Sequence, residues 1–229
     1  MRANLRIAFF TDSYLEVNGV AQTSRQFAAF AKRRGLSMLC IHAGPRTERY
    51  EEGCITHLAL KRTRVGFRIE SDQRYDLLIW RYARLVSETL REFDPNIVHI
   101  TGPSDVGQIG AYVSQKLRLP VVASWHTNLH EYGARRLNNL IRFLPGSARR
   151  PLVELAEKQG LRVLLEFYKT GRVLLAPNEE LGELLKDGCN RQVFLMRRGV
   201  DTDVFSPAKR DRTDGVFTLG YVGRLTPEK

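Results

Sequence analysis

An apolar run over 216–222 leads into Gly223-Arg224-Leu225-Thr226-Pro227-Glu228-Lys229. A strand, a glycine and then spaced cations is a common way to hold a phosphate, because the glycine lets the backbone turn and Arg and Lys supply donors and charge. Asn18-Gly19 opens a run with helical spacing. There, helix amides would face an anion and Gly19 would permit close backbone approach; an ordinary helix start with Asn18 as N-cap explains the same residues. His126 lies in Ser124-Trp125-His126-Thr127-Asn128, directly after an apolar run. At that place a histidine can hydrogen-bond a substrate hydroxyl or move a proton, and a structural role fits it equally by position. Arg197-Arg198-Gly199-Val200-Asp201 offers cations, a glycine and a carboxylate, or simply a charged turn. His126 and His130 stand at helical spacing, but the HExxH pattern is missing and the cysteines are distant, so no metal site is expected. No GxGxxG is present, which argues against a standard dinucleotide site.

The elements that must position these residues alternate between strand and helix. Residues 5–10 read as a first strand, 20–34 as a helix with Phe27, Phe30 and Ala31 on one face, and 37–42 as a second strand. A weaker strand is expected over 54–60, and a long amphipathic helix over 71–93. Strands are expected over 97–100, 121–124, 172–176 and 192–196, with helices over 106–117 and 179–186. Residues 133–170 read as mostly helical, broken near Pro145-Gly146. This predicts a Rossmann-like α/β domain whose sheet is parallel, with strands 5–10, 97–100 and 121–124 as neighbours. In such sheets ligands gather beyond the C-terminal ends of the strands, which is where segments 11–19, 101–107, 125–130 and 197–203 fall. Gly19 and His126 should therefore approach one another on one edge. The expected division is an N-terminal domain over 1–205, a linker over 206–215, and, over 216–229, the first strand and loop of a second domain.

Composition narrows the partners. The 229 residues are 43% hydrophobic with no run of eighteen apolar residues, so no membrane-crossing helix is expected. The N-terminus lacks the apolar core of a signal peptide, and three scattered cysteines suit a reducing compartment, so a cytoplasmic location is expected. A net charge of +11 points to phosphorylated substrates, an anionic membrane or nucleic acid, or to a merely solvated basic surface. Without RNA-binding aromatics, zinc-finger spacing or a helix-turn-helix, nucleic acid is set aside.

Taken in order, Thr11-Asp12-Ser13-Tyr14 with Asn18-Gly19-Val20, Ser124-Trp125-His126-Thr127, Arg198-Gly199-Val200-Asp201 with Phe205-Ser206-Pro207, and Gly223-Arg224-Leu225 with Glu228-Lys229 resemble the retaining GT-B glycosyltransferases of family 4. The resemblance is to the branch of bacterial lipid mannosyltransferases and sulfoquinovosyl-diacylglycerol synthases. It implies two Rossmann-like domains, a nucleotide-sugar donor, a lipid or glycan acceptor, retention at the sugar, and no metal or other cofactor in the chemistry. It also implies that Gly19 lies against the donor diphosphate, that His126 contacts the donor sugar, and that Arg224 and Lys229 bind phosphate. Asp12, Tyr14 and Asn18 would line the acceptor side. Arg198 stands where the family more often has Asn, and the family's acidic Glu…Glu motif would lie beyond Lys229.

Two readings follow. One is the N-terminal part of such an enzyme, inactive as an isolated chain. The other is a non-catalytic Rossmann-like module that holds an anionic or lipid partner. A peripheral membrane contact is expected from 133–170, where Leu140, Ile141, Phe143 and Leu144 sit beside Arg135, Arg136, Arg142, Arg149 and Arg150. The plainer alternative places those apolar residues in the core.

Overall fold

The computed structural model describes residues 5–68, 74–210 and 215–220. Its strands and helices in chain order are β1 (Arg6–Thr11), α1 (Gly19–Arg34), β2 (Ser37–Gly44), β3 (Glu48–Glu52), β4 (Ile55–Lys61), β5 (Gly66–Arg68), β6 (Arg74–Asp76), α2 (Ala83–Phe93), β7 (Ile97–Ile100), α3 (Asp105–Lys116), β8 (Val121–Ser124), α4 (Leu129–Leu140), α5 (Gly146–Tyr168), β9 (Val173–Ala176), α6 (Glu179–Cys189) and β10 (Gln192–Leu195). Eight strands form one sheet in the order β10-β9-β8-β7-β1-β2-β4-β3, parallel except for the β3–β4 edge pair. The expected neighbours are in place: β1 pairs with β7, and β7 with β8, all parallel.

The central strands are apolar on both faces because helices cover both. Ala8, Phe10, Leu39 and Ile41 pack with α2 and α3 on one side. Phe9, Met38 and Cys40 pack with Ala28 and Ala31 of α1 on the other. This two-sided burial is why the strands read as unbroken apolar runs. The strand order reverses between β1 and β7, so the loops after them diverge and leave a crevice at the carboxyl edge.

Three features depart from the sequence reading. The helix expected over 71–93 begins only at Ala83; before it come β6 and a 3₁₀ helix over Ile79–Tyr82, while 69–73 lie outside the described residues. The cause is Asp76, whose buried carboxylate accepts from Thr63 N (2.8 Å), Thr63 Oγ1 (2.7 Å), Leu78 N (2.9 Å) and Arg81 Nη1 (2.9 Å). Those bonds tie the segment to the β5–β6 hairpin, and amphipathic spacing cannot reveal them. Secondly, Phe30 does not share the core face with Phe27 and Ala31; it is 45% exposed, with the Arg34 guanidinium over its ring. Thirdly, β3 was not anticipated, since Glu48–Glu52 is wholly exposed and carries no apolar alternation.

The described residues divide after Arg198. Beyond it, Asp201 Oδ1 accepts from the amides of Asp203 (3.0 Å) and Val204 (3.2 Å), and Pro207–Lys209 forms a 3₁₀ turn. Residues 216–220 of the run expected as a strand form no strand, and Tyr221, Val222, Arg224 and Lys229 lie outside the described residues. Among the described residues no helix is long and apolar enough to cross a membrane.

Candidate functional site

Four elements meet at the carboxyl edge of the central strands. The loop after β1 delivers Asp12 and then enters α1 through Asn18, whose side chain caps the helix by accepting from Ala21 N at 2.9 Å. Asn18 O accepts from Gln22 N (3.0 Å), and among the described residues the amides of Gly19 and Val20 have no partner. The plain reading of Asn18 as an N-cap is therefore correct, and it leaves two helix-start amides for an anion.

Gly19 leaves room for a cation. A β-carbon there would strike Arg198 Nη1 and lie 3.2 Å from its Cζ, so a guanidinium brought from the end of β10 occupies the space beside the helix start. The first turn of α1 holds no acidic residue. A cation set against the positive end of a helix dipole without a carboxylate is an arrangement an anion would relieve.

His126 follows β8 by two residues. Its Nε2 lies 2.9 Å from Ser124 Oγ, which lies 3.0 Å from His99 Nε2. His99 is itself held edge-on between Phe9 and Phe27. Burial, aided by the Arg198 charge, lowers the His126 pKa to about 4, so the ring is uncharged at neutral pH. The next residues are pinned by a chain of bonds: Trp125 Nε1 donates to Asn128 Oδ1 (2.8 Å), and Asn128 Nδ2 to Glu131 Oε1 (2.7 Å). Trp125 stacks on Tyr168 at 4.9 Å, and Tyr168 Oη donates to Ser124 O (3.3 Å).

Asp12, Val20, Gly102, His126, Thr127 and Tyr168 line one cleft, together with Thr101. Thr101 is 5% exposed, and its Oγ1 has no hydrogen-bond partner. A buried hydroxyl left unpaired is costly, and here it borders the cleft where a ligand hydroxyl could meet it. The far wall is braced by Arg62, which grips Asp105 at the start of α3 through Nε (2.9 Å) and Nη2 (2.6 Å).

Burial raises the Asp12 pKa to about 6, with Asp105 and Glu16 adding to the rise and Arg62 opposing it. The folded value lies above the ordinary aspartate value of 3.8, so the ionised carboxylate is the form that folding disfavours. Wild-type stability therefore falls as pH rises from about 4 to about 6 and then levels. Asp12→Asn removes that loss. Its melting temperature should exceed the wild type's at pH 8 and match it near pH 4, measured by calorimetry; equal melting temperatures at pH 8 would show that Asp12 is not held at a cost.

Of the expected site residues, Gly19, Asp12 and His126 come together here, with Arg198. Tyr14 does not line the cleft; its ring is buried, stacked on His42 at 4.9 Å and edge-on to His57. His130 packs against Trp125, and among the described residues no cluster of ligating side chains could hold a metal ion. Sequence reasoning placed Thr101 in a ligand-side segment and Ser124 in a motif without giving either a role, and missed His99, Tyr168 and the Arg62–Asp105 pair. The last joins residues 43 positions apart with no local signal.

Comparison with known proteins bears on family and fold. The model of the family described as Glycosyltransferase Family 4 matches residues 17–204. A GDP-mannose-dependent alpha-mannosyltransferase of Corynebacterium glutamicum is 27% identical over 98% of this chain and 52% of its own length. A protein of the same name from Mycobacterium tuberculosis is 27% identical, over 98% of this chain and 57% of its own. An alpha-monoglucosyldiacylglycerol synthase of Streptococcus pneumoniae is 25% identical over 56% of this chain and 28% of its own. The chain spans about half the length of the mannosyltransferases it matches. The fold resembles that of Anabaena HepE, solved with UDP and glucose, at a TM-score of 0.50 and 13% identity over 89% of this chain and 48% of that one.

Proposed function

The chain belongs to glycosyltransferase family 4, and from that premise we propose that it is the N-terminal, acceptor-side part of a retaining enzyme that moves a sugar from a nucleotide-sugar donor to a lipid or glycan acceptor. What supports the reading is the convergence of bare Gly19, the Arg198 guanidinium and uncharged His126 at one sheet edge. In this reading the Gly19 and Val20 amides and Arg198 meet the donor diphosphate. Charge builds on that diphosphate as the glycosidic bond breaks, and fixed donors in a water-poor cleft stabilise it. Arg224 and Lys229 are assigned the remaining phosphate contacts, so that leaving-group stabilisation falls to cations rather than a metal. His126, anchored through Ser124, hydrogen-bonds the donor sugar without becoming charged. Asp12 and the unpaired Thr101 hydroxyl face the acceptor, while Asn18 and Tyr14 serve by shaping the loop that carries Asp12.

Donor capture needs a second domain, so the 229-residue chain alone transfers no sugar. Incubating it with a panel of nucleotide sugars and a lipid extract should give no product; clear product would show that this part suffices and that the two-domain reading is mistaken.

The same reading places the protein in the cytoplasm, peripheral on the inner face of the membrane. The support is the α4–α5 hairpin, where Leu140 and Phe143 are 75% and 78% exposed beside the exposed Arg142 and Arg150. Apolar side chains flanked by cations suit an anionic interface, at about 1 kcal/mol per basic residue near the surface. The protein should co-sediment with vesicles containing anionic phospholipid, and salt should release it. Equal recovery in the supernatant with and without anionic lipid would remove the membrane contact.

A further inference from the structure

A second cleft, of about 290 Å³, opens between α2 and α3, away from the loops at the sheet edge. Ser87 lines it, is 7% exposed, and its Oγ has no hydrogen-bond partner. Serine and threonine in a helix can bond the carbonyl one turn back, as Thr89 does to Leu85 O at 2.8 Å. Ser87 makes no such bond, so its buried hydroxyl lacks an acceptor that a ligand in the cleft would supply.

The cleft is also graded along its length. Ala83, Ser87 and Arg91 follow one another at four-residue spacing on α2, so it runs for two helical turns, roughly 12 Å. At one end Tyr112 of α3 lines it, 48% exposed, with the 44% exposed Trp80 edge-on to its ring at 5.4 Å. At the other end are Arg91 and Lys116, neither with a carboxylate partner among the described residues. Glu88 also lines the cleft, but Arg84 Nε holds it at 2.8 Å, so it does not neutralise that end.

An aromatic face, a hydroxyl and a pair of cations in series match a planar ring joined through a polar linker to a phosphate. We propose that the α2–α3 cleft binds a nucleoside monophosphate, with its base against Tyr112, its phosphate between Arg91 and Lys116, and an oxygen accepting from Ser87. The assignment uses none of the residues given to glycosyl transfer and stands apart from that reading.

Isothermal titration of the 229-residue chain with AMP tests it. Saturable binding with a Kd below roughly 1 mM is expected. Ribose 5-phosphate, which lacks the base, and adenosine, which lacks the phosphate, should each bind at least about 10-fold more weakly, since each leaves one end of the cleft empty. The double variant R91Q/K116Q should abolish binding, and Tyr112→Ala should weaken it about 10-fold. Arg198→Gln, at the sheet edge, should leave it unchanged. All these side chains are exposed, so the variants should fold. No saturation at several millimolar AMP, on the scale of the expected Kd, overturns the proposal. So does binding that R91Q/K116Q leaves intact or that Arg198→Gln removes, or inorganic phosphate binding as tightly as AMP.

Discussion

Replacing His126 by alanine is expected to lower turnover by about 100-fold or more while leaving the melting temperature nearly unchanged, in a protein that carries both halves of the family fold. The ring stands at the cleft with one nitrogen spent on Ser124 Oγ at 2.9 Å and is uncharged at neutral pH. Such a group contributes by hydrogen bonding in a fixed orientation, and a prepositioned donor or acceptor at a reacting centre is worth two to three powers of ten in rate. Because its pKa is lowered to about 4, the contribution should be flat from pH 5 to pH 8; any acid limb near pH 6 should instead vanish in Asp12→Asn. Ser124→Ala should have a smaller effect, about 10-fold, because it frees the ring without removing it. Near-normal turnover for His126→Ala, with donor and acceptor saturating, would make His126 a structural histidine.

The second large effect separates activity from stability in sign. Gly19 is the first residue of α1 and its φ is not positive, so alanine fits the backbone there. Alanine costs less conformational entropy than glycine, which favours the helix by up to about 1 kcal/mol. Yet its β-carbon would land on the Arg198 guanidinium. Arg198 is long and exposed and can swing away, so the fold should survive. Gly19→Ala should therefore melt at the same or a higher temperature while turnover falls about 10- to 100-fold, since a misplacement near 1 Å at a reacting centre costs on that order. Loss of stability with normal specific activity would mean that Gly19 serves the fold rather than the ligand.

The strand ladder was legible because its strands are buried on both faces and their apolar runs are short and bounded: Ile97–Ile100 and Val121–Ser124 fall at the expected bounds. Helix starts were legible where a side chain caps them, as at Asn18. The segment before α2 was not, because a buried carboxylate, Asp76, overrides an amphipathic pattern that by itself favours helix. Among the candidate residues, His126 is noticeable by its type beside a strand end and Gly19 by opening a helix. Thr101 and Ser124 are not, since a hydroxyl's role depends on whether a partner reaches it. Tyr14, which the resemblance assigns to the acceptor side, instead turns its ring into the layer with His42 and His57. Arg198 was legible as a cation on a loop; that it ends beside Gly19 depends on the path of the chain after β10.

The most direct measurement is an NMR titration of the isotope-labelled chain with GDP and with UDP, following the amides of Gly19 and Val20 and the His126 ring. A nucleoside diphosphate held by these groups alone should bind weakly, at roughly millimolar Kd. Saturable shifts at Gly19, Val20 and His126 are predicted, and Arg198→Gln should abolish them. Silence at all three up to several times that concentration, with the chain folded, would contradict the assignment of this sheet edge to the diphosphate of a sugar donor.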